Sequence, residues 1–149
     1  MVLDDDLLSP VKSLADERGE VLEVFRGDHV PITGKGQVYL TTAFPGCIKG
    51  GHYHRRKTEW FCVVGGRAVI ELQDVGTGAS RVFTLDRRRP AVLRVPPNTI
   101  HRIRNPTDQI LSVIAYIDEV YNPDDPDTYP AGAPSAPPPT RWAVGPLFS

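Results

Sequence analysis

The chain has 149 residues, 40% hydrophobic and 23% charged, with a formal net charge of −1. That length predicts one domain able to bury its own core, and near-neutral charge argues against a nucleic-acid binder, which needs a basic face. Two cysteines, Cys47 and Cys62, are too few for a disulfide framework. No apolar stretch approaches the roughly 20 residues that cross a bilayer. The acidic start MVLDDDLLSP lacks the basic and apolar regions of a secretory signal. The expectation is a cytoplasmic protein with no membrane partner.

Residues 1–20 read as a polar N-terminal segment, closed by a turn at Arg18-Gly19. From 21 to 121 the chain is a series of short runs rich in Val, Ile, Thr and aromatics, broken by Gly, Pro and Asp. They predict strands over 21–25, 37–43, 60–64, 67–72, 80–85, 91–95, 101–104 and 111–116. Arg67 to Leu72 alternates, and Gly65-Gly66 signals a hairpin. No sustained 3.6-residue apolar period appears, so the reading is an all-β sandwich or barrel. From Asn122 prolines recur, ending the barrel and predicting an extended tail over 122–149. Its last residues, from Arg141 and Trp142 to Phe148, are apolar enough to dock on a neighbouring surface.

Two stretches carry chemistry. The first runs from Gly46 through His52, His54 and Glu59 to Gly66. His52 and His54 are two apart, so on a strand both imidazoles face one way. Glu59 opens the next apolar run, where an unpaired carboxylate is costly to bury. Two imidazoles and a carboxylate converging on one point make a divalent-metal site for Zn, Fe, Mn, Co or Ni. The second stretch is a proline turn, Pro96-Pro97-Asn98, leading into a strand that opens on His101 and places Ile103 and Asn105 on the same face. His101 is the fourth ligand if the two strands lie side by side. Cys62, in an apolar run, reads as a buried small hydrophobe, and His29 lies in a loop outside the pattern.

These stretches resemble the two motifs of the cupins, single-domain double-stranded β-helix (jelly-roll) barrels. The first matches at Gly46, His52, His54, Glu59 and Gly66. The second matches at Pro96, His101 and Asn105, with Asn98 in place of a glycine and Pro90 in place of the leading glycine. Asn tolerates positive φ, so Asn98 can make the same turn. The likeness extends over roughly 16–130, through 18–25, 37–42, Pro45-Gly46, 51–54, Lys57-Thr58-Glu59 and the exit 119–129. Over that span the chain resembles the C-terminal cupin domain of capsular-polysaccharide nucleotide-sugar epimerase/reductases. It is more distantly similar to dTDP-4-keto-6-deoxysugar 3,5-epimerases and 3,4-ketoisomerases.

The resemblance implies a C3 epimerase or ketoisomerase acting on a nucleotide-diphospho-4-keto-6-deoxysugar, with a divalent metal, zinc first, and a homodimer. It implies that reduction comes from elsewhere, since no glycine-rich strand–turn–helix is present in the sequence. In the metal-free relatives the histidine matching His52 is a base. As a metal ligand its lone pair is taken, which leaves Lys57 and Tyr39 as acid/base candidates. Lys49, where relatives carry arginine, and Asn105 are the expected substrate-binding residues; Arg87-Arg88-Arg89 reads as a solvated turn. Tyr53 and Trp60 alternate away from the histidines, suggesting a dimer contact and a covered sheet face. A metal-dependent cupin dioxygenase and a non-catalytic sugar-binding cupin are the alternatives, because a fold does not select a chemistry.

Overall fold

The computed structural model describes residues 5–131. A short 3-10 turn, Asp5–Leu7, precedes twelve strands: β1 (Leu8–Pro10), β2 (Lys12–Asp16), β3 (Gly19–Glu23), β4 (Gln37–Ala43), β5 (Ile48–Tyr53), β6 (Glu59–Gly65), β7 (Arg67–Asp74), β8 (Ser80–Asp86), β9 (Ala91–Val95), β10 (Thr99–Arg104), β11 (Leu111–Ile117) and β12 (Tyr129–Pro130). Two antiparallel five-stranded sheets, ordered β1-β9-β6-β11-β4 and β12-β5-β10-β7-β8, make the all-β jelly roll expected from the sequence. β2 and β3 form a separate hairpin. No helix among the described residues is long and apolar enough to cross a membrane.

Period-2 patterning builds the core. Along β7 every second residue from Ala68 is buried, while its neighbours are partly exposed. Phe61, Val63, Ile70, Leu72, Leu93, Val95, Ile103, Val113 and Ala115 fill the space between the sheets. Trp60 does point to the other face, as alternation predicts, and it is covered there by residues of its own chain. Val30, Cys62, Val92 and Tyr116 bury it, with the Trp60 and Tyr116 rings 5.6 Å apart. Cys62 is fully buried, and that burial pushes its thiol up to about 11, as suits an unreactive core residue.

Three regions depart from the sequence reading. Within the N-terminal segment, residues 5–20 contribute structure: Leu7 is in the core, and β1 adds an edge strand beside β9. Polar composition hid this, because a single leucine, Leu7, among acidic residues carries the packing. Residues 122–131, read as the start of a tail, return to the barrel, and β12 pairs with β5 at Tyr129↔Tyr53 and Pro130↔His52. The expected apolar end at 141–148 lies outside the described residues.

The third departure is β5 itself, whose Lys49-Gly50-Gly51 centre broke the strand pattern. Gly50 and Gly51 adopt φ of +86° and +85°, open to glycine at little cost. The β5–β10 register shifts between His101 and Arg102, a bulge at the level of the histidines. A Cβ on Gly50 would stand 2.5 Å from the His101 carbonyl oxygen. The glycines therefore permit the close approach that places β5 against β10 where both carry a histidine.

Candidate metal centre

β5 delivers His52 directly opposite His101 on β10. His54 follows one residue beyond the strand, and Glu59 opens β6 in the facing sheet, between Val95 and Ile117. The ring centroids are 4.6 Å apart for His52–His101, 5.3 Å for His52–His54 and 5.6 Å for His54–His101. One ring nitrogen from each histidine lies within 4.8 Å of the other two. Glu59 joins them: its Oε2 is 3.2 Å from His101 Nε2 and its Oε1 is 3.6 Å from His54 Nε2. The structure thus brings together the four residues that the two motifs singled out.

Their orientation follows from backbone carbonyls. His54 Nδ1 lies 2.6 Å from the Asp127 carbonyl oxygen and His101 Nδ1 lies 3.2 Å from that of Thr99. A carbonyl accepts only, so each Nδ1 carries the proton and each Nε2 keeps its lone pair. Nε2 of His52, His54 and His101 is buried without a hydrogen-bond partner. Three such atoms converging on one point fit the donor set of a divalent-metal site.

The electrostatics agree. Burial, helped by neighbouring His101, pulls His52 down to about 3, so it is neutral near pH 7. Burial pulls on His54 too, but the Glu59 carboxylate outweighs it and raises His54 above the ordinary value. Burial alone would push Glu59 up; the adjacent His101 and His54 imidazoles, 3.2 and 3.6 Å away, outweigh that and hold it well below the usual carboxylate range. One carboxylate and three imidazoles with free Nε2 atoms can hold a divalent first-row ion.

The other singled-out residues sort by position. Tyr39 on β4 donates its hydroxyl to Glu59 Oε1 at 3.0 Å, at the edge of the cluster. Lys49 reaches across from β5 to β4, donating to Thr41 Oγ1 and, at 3.2 Å, to the Thr42 carbonyl; burial lowers its pKa. Lys57 is buried but engaged elsewhere, with Nζ donating to the Pro126 carbonyl at 3.1 Å and lying 5.9 Å from the Tyr121 ring centroid. Asn105 sits past the far end of β10 from His101. Its Nδ2 donates to the Ala43 and Gln109 carbonyls and its Oδ1 accepts from the Thr107 amide and hydroxyl. That exhausts its hydrogen-bonding capacity, so it locks a loop and has nothing left for a ligand. Tyr53 faces away from the histidines and stacks on Tyr129 of the returning segment, 5.4 Å between centroids, with Arg55 4.1 Å over the Tyr129 ring. His29 is exposed, 3.8 Å from Asp28.

Asp127 is the residue that sequence reasoning passed over. Its carboxylate accepts from the backbone N–H groups of Arg55, Arg56 and Lys57, tying down the bend between His54 and Glu59. An aspartate among prolines signals a turn, but nothing in its spacing links it to a bend seventy residues away. Burial pushes its carboxyl up, and the three N–H groups outweigh that and hold it below 3.8. The stabilisation is therefore present above the ordinary carboxylate value and fades as pH falls through the lowered one. The urea-midpoint difference between wild type and Asp127→Asn is expected to be largest above pH 3.8 and to shrink in stronger acid; a difference independent of pH would refute the carboxylate's role.

Comparison with known proteins matches this site to its kin. A curated UDP-2-acetamido-2,6-beta-L-arabino-hexul-4-ose reductase of Pseudomonas aeruginosa is 30% identical over 126 residues, covering 85% of this chain and 32% of the reductase. The chain thus spans about a third of that relative's length. The probable low-salt glycan biosynthesis epimerase Agl13 of Haloferax volcanii is 26% identical over 120 residues, 76% of this chain and 77% of the epimerase. Among solved structures, a dTDP sugar isomerase from Desulfovibrio desulfuricans shares the fold with a TM-score of 0.75, at 23% identity over 95% of this chain and 88% of that one. Residues 14–129, the stretch that contains all four converging side chains, match the polysaccharide biosynthesis C-terminal domain, and the chain belongs to that family.

Proposed function

We propose that the chain is an enzyme that inverts or shifts a centre next to the ketone of a nucleotide-diphospho-4-keto-6-deoxysugar, as a C3 epimerase or ketoisomerase in polysaccharide biosynthesis. The observation that carries the reading is the buried trio of unpartnered Nε2 atoms beside Glu59. The name of the reductase relative, which acts on a hexul-4-ose, and that of the epimerase relative support the substrate class.

In this reading His52, His54, His101 and Glu59 hold a divalent ion, zinc first, with Fe, Mn, Ni or Co suited to the same donors. Bound there, the ion supplies Lewis acidity to the oxygens flanking the carbon that loses its proton. A 4-keto group acidifies C3–H; loss of that proton gives an enolate, and its return to the opposite face inverts the centre. Tyr39, with its hydroxyl at the edge of the cluster, is the proton-carrying group. Lys49, a half-buried cation with a third N–H to give, is offered to the diphosphate. The chain acts as a homodimer, a reading that Val38 and Leu40, exposed on edge strand β4, support.

The test is solvent exchange. Metal-replete protein incubated in D₂O with a UDP- or dTDP-4-keto-6-deoxyhexose is expected to place deuterium at C3, read by mass spectrometry and NMR. Absence of label with both sugars would overturn the reading.

A further inference from the structure

Among the described residues two non-glycine positions adopt left-handed backbone, Asn98 at φ +58° and Asp127 at φ +48°. Both touch His54. The Asn98 N–H donates to the His54 carbonyl at 2.6 Å, and the Asp127 carbonyl accepts from His54 Nδ1 at the same distance. Left-handed backbone is unfavourable for residues with a Cβ and persists where the surroundings hold it, commonly at functional sites. Here the two unfavourable conformations converge on one residue, Asn98 at the His54 backbone carbonyl and Asp127 at its ring, from loops that are otherwise remote in sequence.

His54 needs such support more than its neighbours. It lies just past the end of β5, so no ladder fixes it, whereas His52 and His101 are held by β5 and β10. The segment that supplies the Asp127 carbonyl is anchored to the same bend at several points. The Asp127 carboxylate takes the N–H groups of residues 55–57, Lys57 Nζ binds the Pro126 carbonyl, and Arg56 pairs with Glu119 and Asp125, each at 3.1 Å. Tyr129 stacks on Tyr53. The returning segment is thus a strap that pairs with β5 beside His52 and aims a backbone carbonyl at the His54 ring.

We propose that Asp127 is a positioning residue: through its left-handed backbone and its carboxylate it holds His54 in the Nδ1–H form with Nε2 aimed at His52 and His101, Asn98 bracing the opposite side. The consequence for affinity rests on the metal reading above. Outer partners of metal-bound histidines generally set tautomer and ring orientation, and losing one weakens metal binding about 10–100-fold.

Graded variants separate the two contributions. Asp127→Asn keeps both the tolerance of positive φ and a side-chain acceptor; Asp127→Gly keeps only the former; Asp127→Ala keeps neither. Imidazole ¹⁵N shifts of the apo protein report the tautomer, and competition against a chelator gives the cobalt(II) dissociation constant. The expected result is a pure Nδ1–H His54 in wild type, with tautomer mixing and loss of affinity increasing from Asn to Gly to Ala, reaching about 10–100-fold. Should Asp127→Ala fail to fold, the Asn and Gly variants carry the comparison. Variants that lose thermal stability while keeping the wild-type tautomer and cobalt affinity would overturn the proposal, leaving Asp127 a structural staple. A wild type with the Nδ1–H tautomer and no cobalt affinity would instead sink the metal reading and leave the hold on His54 standing.

Discussion

Saturating zinc is expected to raise the melting temperature of the wild-type protein by about 8–16 °C, and replacing either His101 with alanine or Glu59 with glutamine is expected to abolish that rise. A ligand bound only by the folded state at a thousand times its dissociation constant adds about 4 kcal/mol. A domain near 150 residues gains about 2–4 °C per kcal/mol. His101 and Glu59 are at 0% and 1% exposure, on opposite sheets, so removing either opens the cluster from one side. Glu59→Gln is the sharper variant: it preserves volume and an acceptor for the Tyr39 hydroxyl but loses the charge that keeps His54 and His101 company. C3 exchange in these variants is expected to fall about 10³-fold, the loss of several kcal/mol of charge stabilisation. A full thermal shift in His101→Ala would mean that the ion binds elsewhere.

Acid weakens the same effect in a defined order. His54, raised above the ordinary 6.5 by Glu59 despite its burial, must shed a proton to bind, so affinity should begin to drop while the pH is still above that value. His52, held down to about 3, adds no competing proton over the neutral range. Thermal shifts collected across a pH series would show this; a shift constant down to pH 5 would contradict it.

Tyr39→Phe is expected to lower C3 exchange by about 10²–10⁴-fold, the usual scale for losing a positioned acid or base, with metal content unchanged. The hydroxyl donates to Glu59 Oε1, and the phenylalanine keeps the ring while removing that proton. Lys57 makes the contrast. Its ammonium is bound to the strap at the Pro126 carbonyl, and Lys57→Met should cost about 1.5–3 kcal/mol of stability, the worth of a charged hydrogen bond. Exchange should continue in that variant. The reverse ranking, with Lys57→Met inactive and Tyr39→Phe active, would move the proton-carrying role to the lysine.

The local pattern alone was enough for the strands whose side chains alternate or run apolar. Predicted and observed bounds coincide for Gln37–Ala43 and Ala91–Val95, and differ by one or two residues for the remaining barrel strands named from the sequence. It was enough as well to single out His52, His54, Glu59 and His101, because ligand spacing on a strand follows from its period of two. β5 was legible only as a place for histidines, since Gly50 and Gly51 erase the apolar signal to let two backbones meet.

What the chain determines by itself is therefore the all-β architecture and the identity of the four converging side chains, both set by neighbours within a few residues. Tertiary structure decided the rest. It turned Lys57 toward the strap, consumed every hydrogen bond of Asn105, kept Tyr39 at the cluster, and brought Asp127 back over seventy residues to hold His54. Those outcomes depend on which carbonyl or carboxylate ends up beside a side chain after the sheets close, and contacts of that range leave no periodic trace in the sequence.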